Sequence, residues 1–151
     1  NIISIYESNA EWLEAVHYAK KLIKVSEAEG VRLYIGYIFK QAGLLEEASQ
    51  IFEEMIHLPE APLETFFVYS DVLTEQLEHD RALKVMLLGH KQFPDNYELP
   101  LRLGSAFYHL EEMDLSIKFF NKAYELDPEE TLVFFNSFPS RFISIRDELN
   151  F

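Results

Sequence analysis

The chain has 151 residues, 48% of them apolar, with only 5 glycines and 6 prolines, so it can build a continuous core and is not disordered. Its formal net charge of −13 repels phosphates at long range, which argues against nucleic acid or an anionic membrane surface and makes a basic or neutral partner easier to accommodate. With no cysteine, disulfides, thiolate chemistry and a cysteine zinc site are excluded, and the acidic excess also suits helix surfaces that simply need solvation.

Asn1 to Glu7 has no initiator Met and no basic region before its apolar residues, so it is not a complete signal peptide. The chain reads as a trimmed piece of a longer protein. Charges such as Lys40 and the pair Glu53 and Glu54 recur throughout, and no stretch approaches the roughly 18 apolar residues of a membrane span. A cytoplasmic location without membrane insertion is expected.

Ala15, Tyr18, Ala19, Leu22 and Ile23 form the first apolar stripe. It returns, one residue short of the later period, as Ala48, Ile51, Phe52, Met55 and Ile56. The spacing i, i+3, i+4, i+7, i+8 puts all five on one side of an α-helix. Adding 34 to each number gives Ala82, Val85, Met86, Gly89 and His90, and adding 34 again gives Ser116, Phe119, Phe120, Ala123 and Tyr124. A more apolar segment precedes each stripe with the same period: Ile35, Gly36 and Phe39, then Tyr69, Ser70 and Leu73, then Leu103, Gly104 and Phe107. The repeating unit is therefore a helical hairpin. Gly36, Ser70 and Gly104, facing Ala48, Ala82 and Ser116, are expected to let its two helices approach closely.

The punctuation agrees. Gly43 suits a left-handed helix end, and Glu46, Asp80 and Asp114 open the second helices beside the positive end of the dipole. Asp95 and Asn96 after Pro94, and Asp127 before Pro128, offer N-caps. Pro100 is tolerable only in the first turn of its helix. Thr131 to Phe138 reads as another first helix, stopped by Pro139. Beyond it Phe138, Phe142, Ile143, Ile145, Leu149 and Phe151 form an apolar set with polar residues such as Arg141 and Arg146 between them. These are expected to fold back as a terminal helix over the exposed end of the stack, the alternative being a homodimer contact through this aromatic end.

No constellation carries chemistry. His17, His57, His79, His90 and His109 include no pair at the helical metal-ligand spacing of three or four, and His90 reads as a packing residue near a helix end. Carboxylate pairs such as Glu46-Glu47 and Glu129-Glu130 lie at helix starts or on polar faces, where no cleft tunes one against the other. A phosphate loop, a calcium loop and a nucleophile elbow are missing from the sequence. No catalytic residue, metal or cofactor is expected, and the chain is not expected to be an enzyme.

The pattern resembles the tetratricopeptide repeat family. Gly36, Gly43, Leu45, Ala48 and Phe52 carry the resemblance in one unit, and Leu103, Gly104, Phe107, Phe120, Ala123 and Pro128 in another. The middle unit departs from it at Ser70, Leu77 and Gly89, which puts its local rigidity in doubt. The resemblance implies an all-α, right-handed superhelix over residues 1–151. It has full repeats at 29–62, 63–96 and 97–130, a partial repeat at 1–28 and capping helices at 131–151. It also implies a concave groove lined by first helices, at Leu33, Tyr37, Lys40, Phe67, Asp71, Thr74, Leu101, Arg102, Ser105 and Tyr108. Such a groove takes a protein or peptide segment. The competing possibility is that several of these residues are buried, because Val31 to Phe39 is apolar almost all round.

The family's clamp for acidic chaperone C-termini is not reproduced: its positions hold Leu33, Tyr37, Val68, Glu98 and Arg102, and one arginine opposed by Glu98 cannot desolvate a carboxylate. The function expected is a non-enzymatic interaction module within a larger assembly. The alternatives are a chaperone for a secreted or envelope protein, or a structural homo-oligomerising spacer.

Overall fold

The computed structural model describes residues 12–25 and 28–151, so the expectation for Asn1 to Glu7 lies outside the described residues. Those residues form eight α-helices and one short 3-10 helix, and no strand occurs among them. The helices are α1 (Trp12–Leu22), α2 (Glu29–Gln41), α3 (Leu45–Ile56), α4 (Leu63–Glu75), α5 (His79–Gln92), α6 (Glu98–His109), α7 (Met113–Leu126) and α8 (Pro128–Ser137). The chain divides into two compact units, Asn1–Val85 and Met86–Phe151, with the division inside α5.

In the first unit α1 packs on α2, α2 on α3 and α3 on α4, and α2 also touches α4. The second-helix stripe is the reason. Ala48, Ile51, Phe52, Met55 and Ile56 are all buried, as are Ala15 and Ala19 of α1 and Ile35, Tyr69 and Leu73 of the first helices. Gly36 lies against a ring: a Cβ there would sit 2.5 Å from Cζ of Phe52. Absence of a side chain on one helix thus lets a phenyl ring from its partner reach the helix backbone.

The second unit repeats the device. A Cβ on Gly104 would lie 2.6 Å from Cδ1 and 2.8 Å from Cγ of Phe120, and the Ser116 hydroxyl donates to the Gly104 carbonyl at 2.7 Å. The close approach expected from small residues is present, and it serves to seat Phe52 and Phe120.

Hairpin turns recur with the repeat. Gly43, Leu77 and Glu111 stand 34 residues apart and all have positive φ, 78°, 61° and 60°. Each is followed by the same closing bond: Leu44 N–H to Phe39 carbonyl at 2.9 Å, Glu78 to Leu73 at 2.8 Å and Glu112 to Phe107 at 2.9 Å. This is the Schellman ending, which supplies partners for the last carbonyls of a helix. Leucine and glutamate therefore hold a conformation that glycine takes without steric cost. Asp127 caps α8 by accepting from the Glu130 N–H at 3.0 Å, Asn96 accepts from Leu99 N–H at 3.0 Å, and Pro100 falls in the first turn of α6.

After α8 the chain turns at Phe142, whose φ is 60°, into the 3-10 helix Ile143–Glu148. The fold-back expected as a terminal helix is this single short 3-10 segment. Phe142 and Ile145 are buried in a cluster with Leu101, Phe120, Ala123 and Phe135, and Leu149 and Phe151 pack against it. Phe138 and Ile143 of the same apolar set stay exposed. An arginine replaces the missing helical hydrogen bonds. Arg146 donates to the carbonyls of Phe135 at 3.1 Å, Phe138 at 2.7 Å and Arg141 at 2.9 Å, with its guanidinium 5.2 Å from the Phe135 ring centre. It thereby satisfies the open end of α8 while stacking on an aromatic face.

Candidate functional site

In the first unit, α2 and α4 lie side by side, joined near their C-terminal ends by the ion pair Lys40–Glu75 at 3.7 Å. Their outward residues recur at helical spacing on each helix. Tyr37 on α2 and Asp71 and Thr74 on α4 are exposed, and Leu33, Lys40 and Phe67 are half-buried beside them. The Tyr37 ring is steadied by Trp12 of α1, edge to face at 6.5 Å, and the Thr74 hydroxyl is folded back onto the Ser70 carbonyl at 2.8 Å. This face combines aromatic area with a few polar groups on two adjoining helices.

The four expected residues of the second unit have different surroundings. Leu101 is buried in the aromatic cluster, and Tyr108 shares a hydrogen bond with Ser144 at 3.0 Å while its ring meets Phe142 edge-on at 4.9 Å. Arg102 is held to Glu98 by Nη2 at 3.0 Å and Nε at 3.2 Å, and Ser105 is half-buried. The C-terminal segment thus covers Leu101 and engages Tyr108. The six residues on α2 and α4 form the open part of the expected set.

A polar network supports that open face from behind. Tyr69 of α4 is fully buried, and its hydroxyl donates to Glu53 of α3 at 2.6 Å and accepts from Arg81 of α5 at 2.8 Å. Arg81 also donates to Glu78 at 2.8 Å, and His57 contacts Glu53 at 3.1 Å. The bond from Tyr69 holds the Glu53 carboxyl below the usual carboxylate range, outweighing burial, with His57 and Arg81 adding to the effect. Burial, and then the bond to Glu53, pushes the Tyr69 hydroxyl above the usual tyrosine value. Three helices are thereby fixed in register by a hydroxyl that no periodicity reveals, because Tyr69 occupies an apolar stripe position.

The charge around this face is one-sided. From Gln41 to Asp80 the sequence holds ten Asp and Glu residues and no Lys or Arg. Cations from outside that stretch pair with several of them: Arg32 meets Glu54, Lys40 meets Glu75, and Arg81 meets Glu53 and Glu78. Among the described residues no cluster of side chains is suited to a metal ion, and no helix is long and apolar enough to cross a membrane.

The tetratricopeptide repeat family model matches residues 101–130, which span α6 and α7 of the second unit. The chain carries a tetratricopeptide repeat. Its fold is that of proteins built from such repeats. It is similar to a crystal structure of MamA, at a TM-score of 0.71 and 16% identity over 85% of this chain and 75% of that one. A second MamA structure, residues 41 to the end from Desulfovibrio magneticus RS-1, is similar at a TM-score of 0.67 and 22% identity over 85% and 73%. YrrB, described as a repeat protein of this type with an unusual peptide-binding site, is similar at a TM-score of 0.70 and 17% identity over 89% and 70%. No curated protein sequence matches the chain.

Proposed function

We propose that this repeat protein is a non-enzymatic interaction module that takes a protein or peptide segment on the first-helix face of α2 and α4. One observation carries the reading: exposed Tyr37, Asp71 and Thr74 stand beside half-buried Leu33 and Phe67 on two adjoined helices. Aromatic rings on a fixed backbone supply contact area at low entropic cost, and isolated polar groups set the register of what binds. The repeat frame of 29–62, 63–96 and 97–130, flanked by 1–28 and 131–151, belongs to the same proposal.

The similarity to YrrB supports peptide binding as a use of this fold. A chaperone role is the second reading, favoured by similarity to PcrH solved with the chaperone binding region of PopB, at a TM-score of 0.64 and 18% identity over 75% of this chain and 96% of that one.

A photo-crosslinking amino acid placed at position 37, and separately at position 132 of α8, tests the site in native extract. Both positions are exposed, Tyr37 at 39% and Leu132 at 39%, so solvent access does not bias the comparison. Discrete adducts at 37 that vanish with Asp71→Ala support the reading. Adducts at 132 alone move the contact to the C-terminal end and favour the homo-oligomer or spacer role.

A further inference from the structure

We propose that a second copy of this chain docks on the outward side of α8, the two helices lying antiparallel across a two-fold axis. The contact lies wholly within the second unit and is independent of the α2–α4 face.

The surface follows from how α8 is packed. Thr131 and Phe135 are buried and Phe134 is half-buried, so one side of the helix is turned to the aromatic cluster. Glu129, Leu132, Val133 and Asn136 are exposed on the other side, and Glu129, Val133 and Asn136 have the i, i+4, i+7 spacing of a single stripe. Val133 is 54% exposed, and Phe138, at the end of the helix, is 40% exposed.

Charge at the two ends of this stripe decides what fits it. Glu129 and Glu130 open the helix, and neither has a cation partner among the described residues. Their end is strongly negative: burial, and then Glu130, Glu98 and Asp127, push the Tyr97 hydroxyl above the usual tyrosine value. Past the other end stands Arg141. Its guanidinium lies over the rings of Phe138 at 5.0 Å and Phe142 at 4.9 Å and meets no carboxylate among the described residues. One edge therefore runs from acid through apolar side chains to base, and such an edge is complementary to itself once turned end for end.

The ten residues of α8 span about 15 Å. A two-fold axis through the turn of Val133 and Asn136 sets Glu129 and Glu130 of one copy toward Arg141 of the other, twice. The antiparallel arrangement also opposes the helix dipoles, and the Asn136 amide, donor and acceptor at once, meets its own copy near the axis. A parallel pair would set acid against acid. The covered area is small, so the dimer forms reversibly with concentration.

Sedimentation of the full chain over a concentration series tests this and should show a monomer–dimer equilibrium with nothing larger. Glu129→Arg with Glu130→Arg, and separately Arg141→Glu, should each weaken the dimer at least tenfold at near-physiological salt, because each turns two attractions into repulsions. Mixing the two variants should restore association, since arginine then faces glutamate at both ends of the pair. Val133→Asp should abolish it. Because Glu129, Glu130 and Val133 are exposed, the two variants made there should keep the helical circular dichroism of the wild type. A chain that stays monomeric throughout leaves this side of α8 to a different protein and overturns the inference. A dimer untouched by Val133→Asp is formed elsewhere on the molecule and overturns it too. Dimers indifferent to charge reversal at Glu129 and Glu130, or variants that stay apart on mixing, contradict the antiparallel pairing, and growth beyond a dimer contradicts a closed two-fold contact.

Discussion

The two units solve one packing problem with different chemistry. In the first, a buried tyrosine hydroxyl, a carboxylate and an arginine tie three helices together through Tyr69, Glu53 and Arg81. In the second, rings do the joining: Phe120, Phe134, Phe135 and Phe142 lie 4.9 to 6.4 Å apart, and Phe151 stacks on Tyr124 at 4.5 Å. A polar tie leaves the neighbouring first-helix face open, whereas the aromatic cover lies on residues that the repeat pattern assigns to such a face. The lesson is that a repeat position has no fixed role until its surroundings are known.

The largest expected effect lies in the second unit. Truncating the fully buried ring in Phe142→Ala should cost about 3 to 5 kcal/mol, read from urea unfolding, and the loss should be insensitive to salt. Gly104→Ala should come next, at roughly 1 to 3 kcal/mol, because the new methyl meets Cγ at the root of the Phe120 ring. Gly36→Ala should cost less, since the methyl there meets only the far edge of Phe52, and better helix propensity offsets it by about 1 kcal/mol. Equal costs at the two glycines would mean that ring position does not decide the strain.

A gain of about 1 kcal/mol is expected for Leu77→Gly, which relieves a left-handed backbone at a side chain that is 77% exposed and buries little. Thermal unfolding checks it, and a loss of stability would show that the leucine contributes contacts that outweigh the backbone. The smallest effect separates the units by pH. Glu53 has a lowered folded pKa, so its contribution is present above the unfolded carboxylate range and disappears as pH falls through the folded value, below 4.5. Amide protection factors in α3 and α4, taken relative to the intrinsic exchange rate at each pH, should fall over that acidic window, and Glu53→Gln should flatten the response.

The helical hairpins were legible because 34-residue spacing and the 3.6-residue stripe both follow from backbone geometry. Caps at Asn96 and Asp127 were legible for the same local reason. Partners set by tertiary contact were not. Tyr69 looked like any stripe residue, Arg146 looked like a polar spacer, and Leu101 and Tyr108 carried no sign that Phe142 and Ser144 would reach them. Leu77 and Glu111 conceal a glycine-like turn, visible in sequence only through their register with Gly43. The cation-free stretch from Gln41 to Asp80 was readable all along, as a charge run and not as a motif.

The proposed binding face on α2 and α4 is tested most directly by residue-resolved NMR of the labelled chain, titrated with the protein segment that crosslinks at position 37. Shifts should concentrate at Tyr37, Phe67, Asp71 and Thr74, leaving Leu132, Val133 and Ile143 unmoved. Shifts confined to α8 and the C-terminal segment, with α2 and α4 silent, would contradict the account.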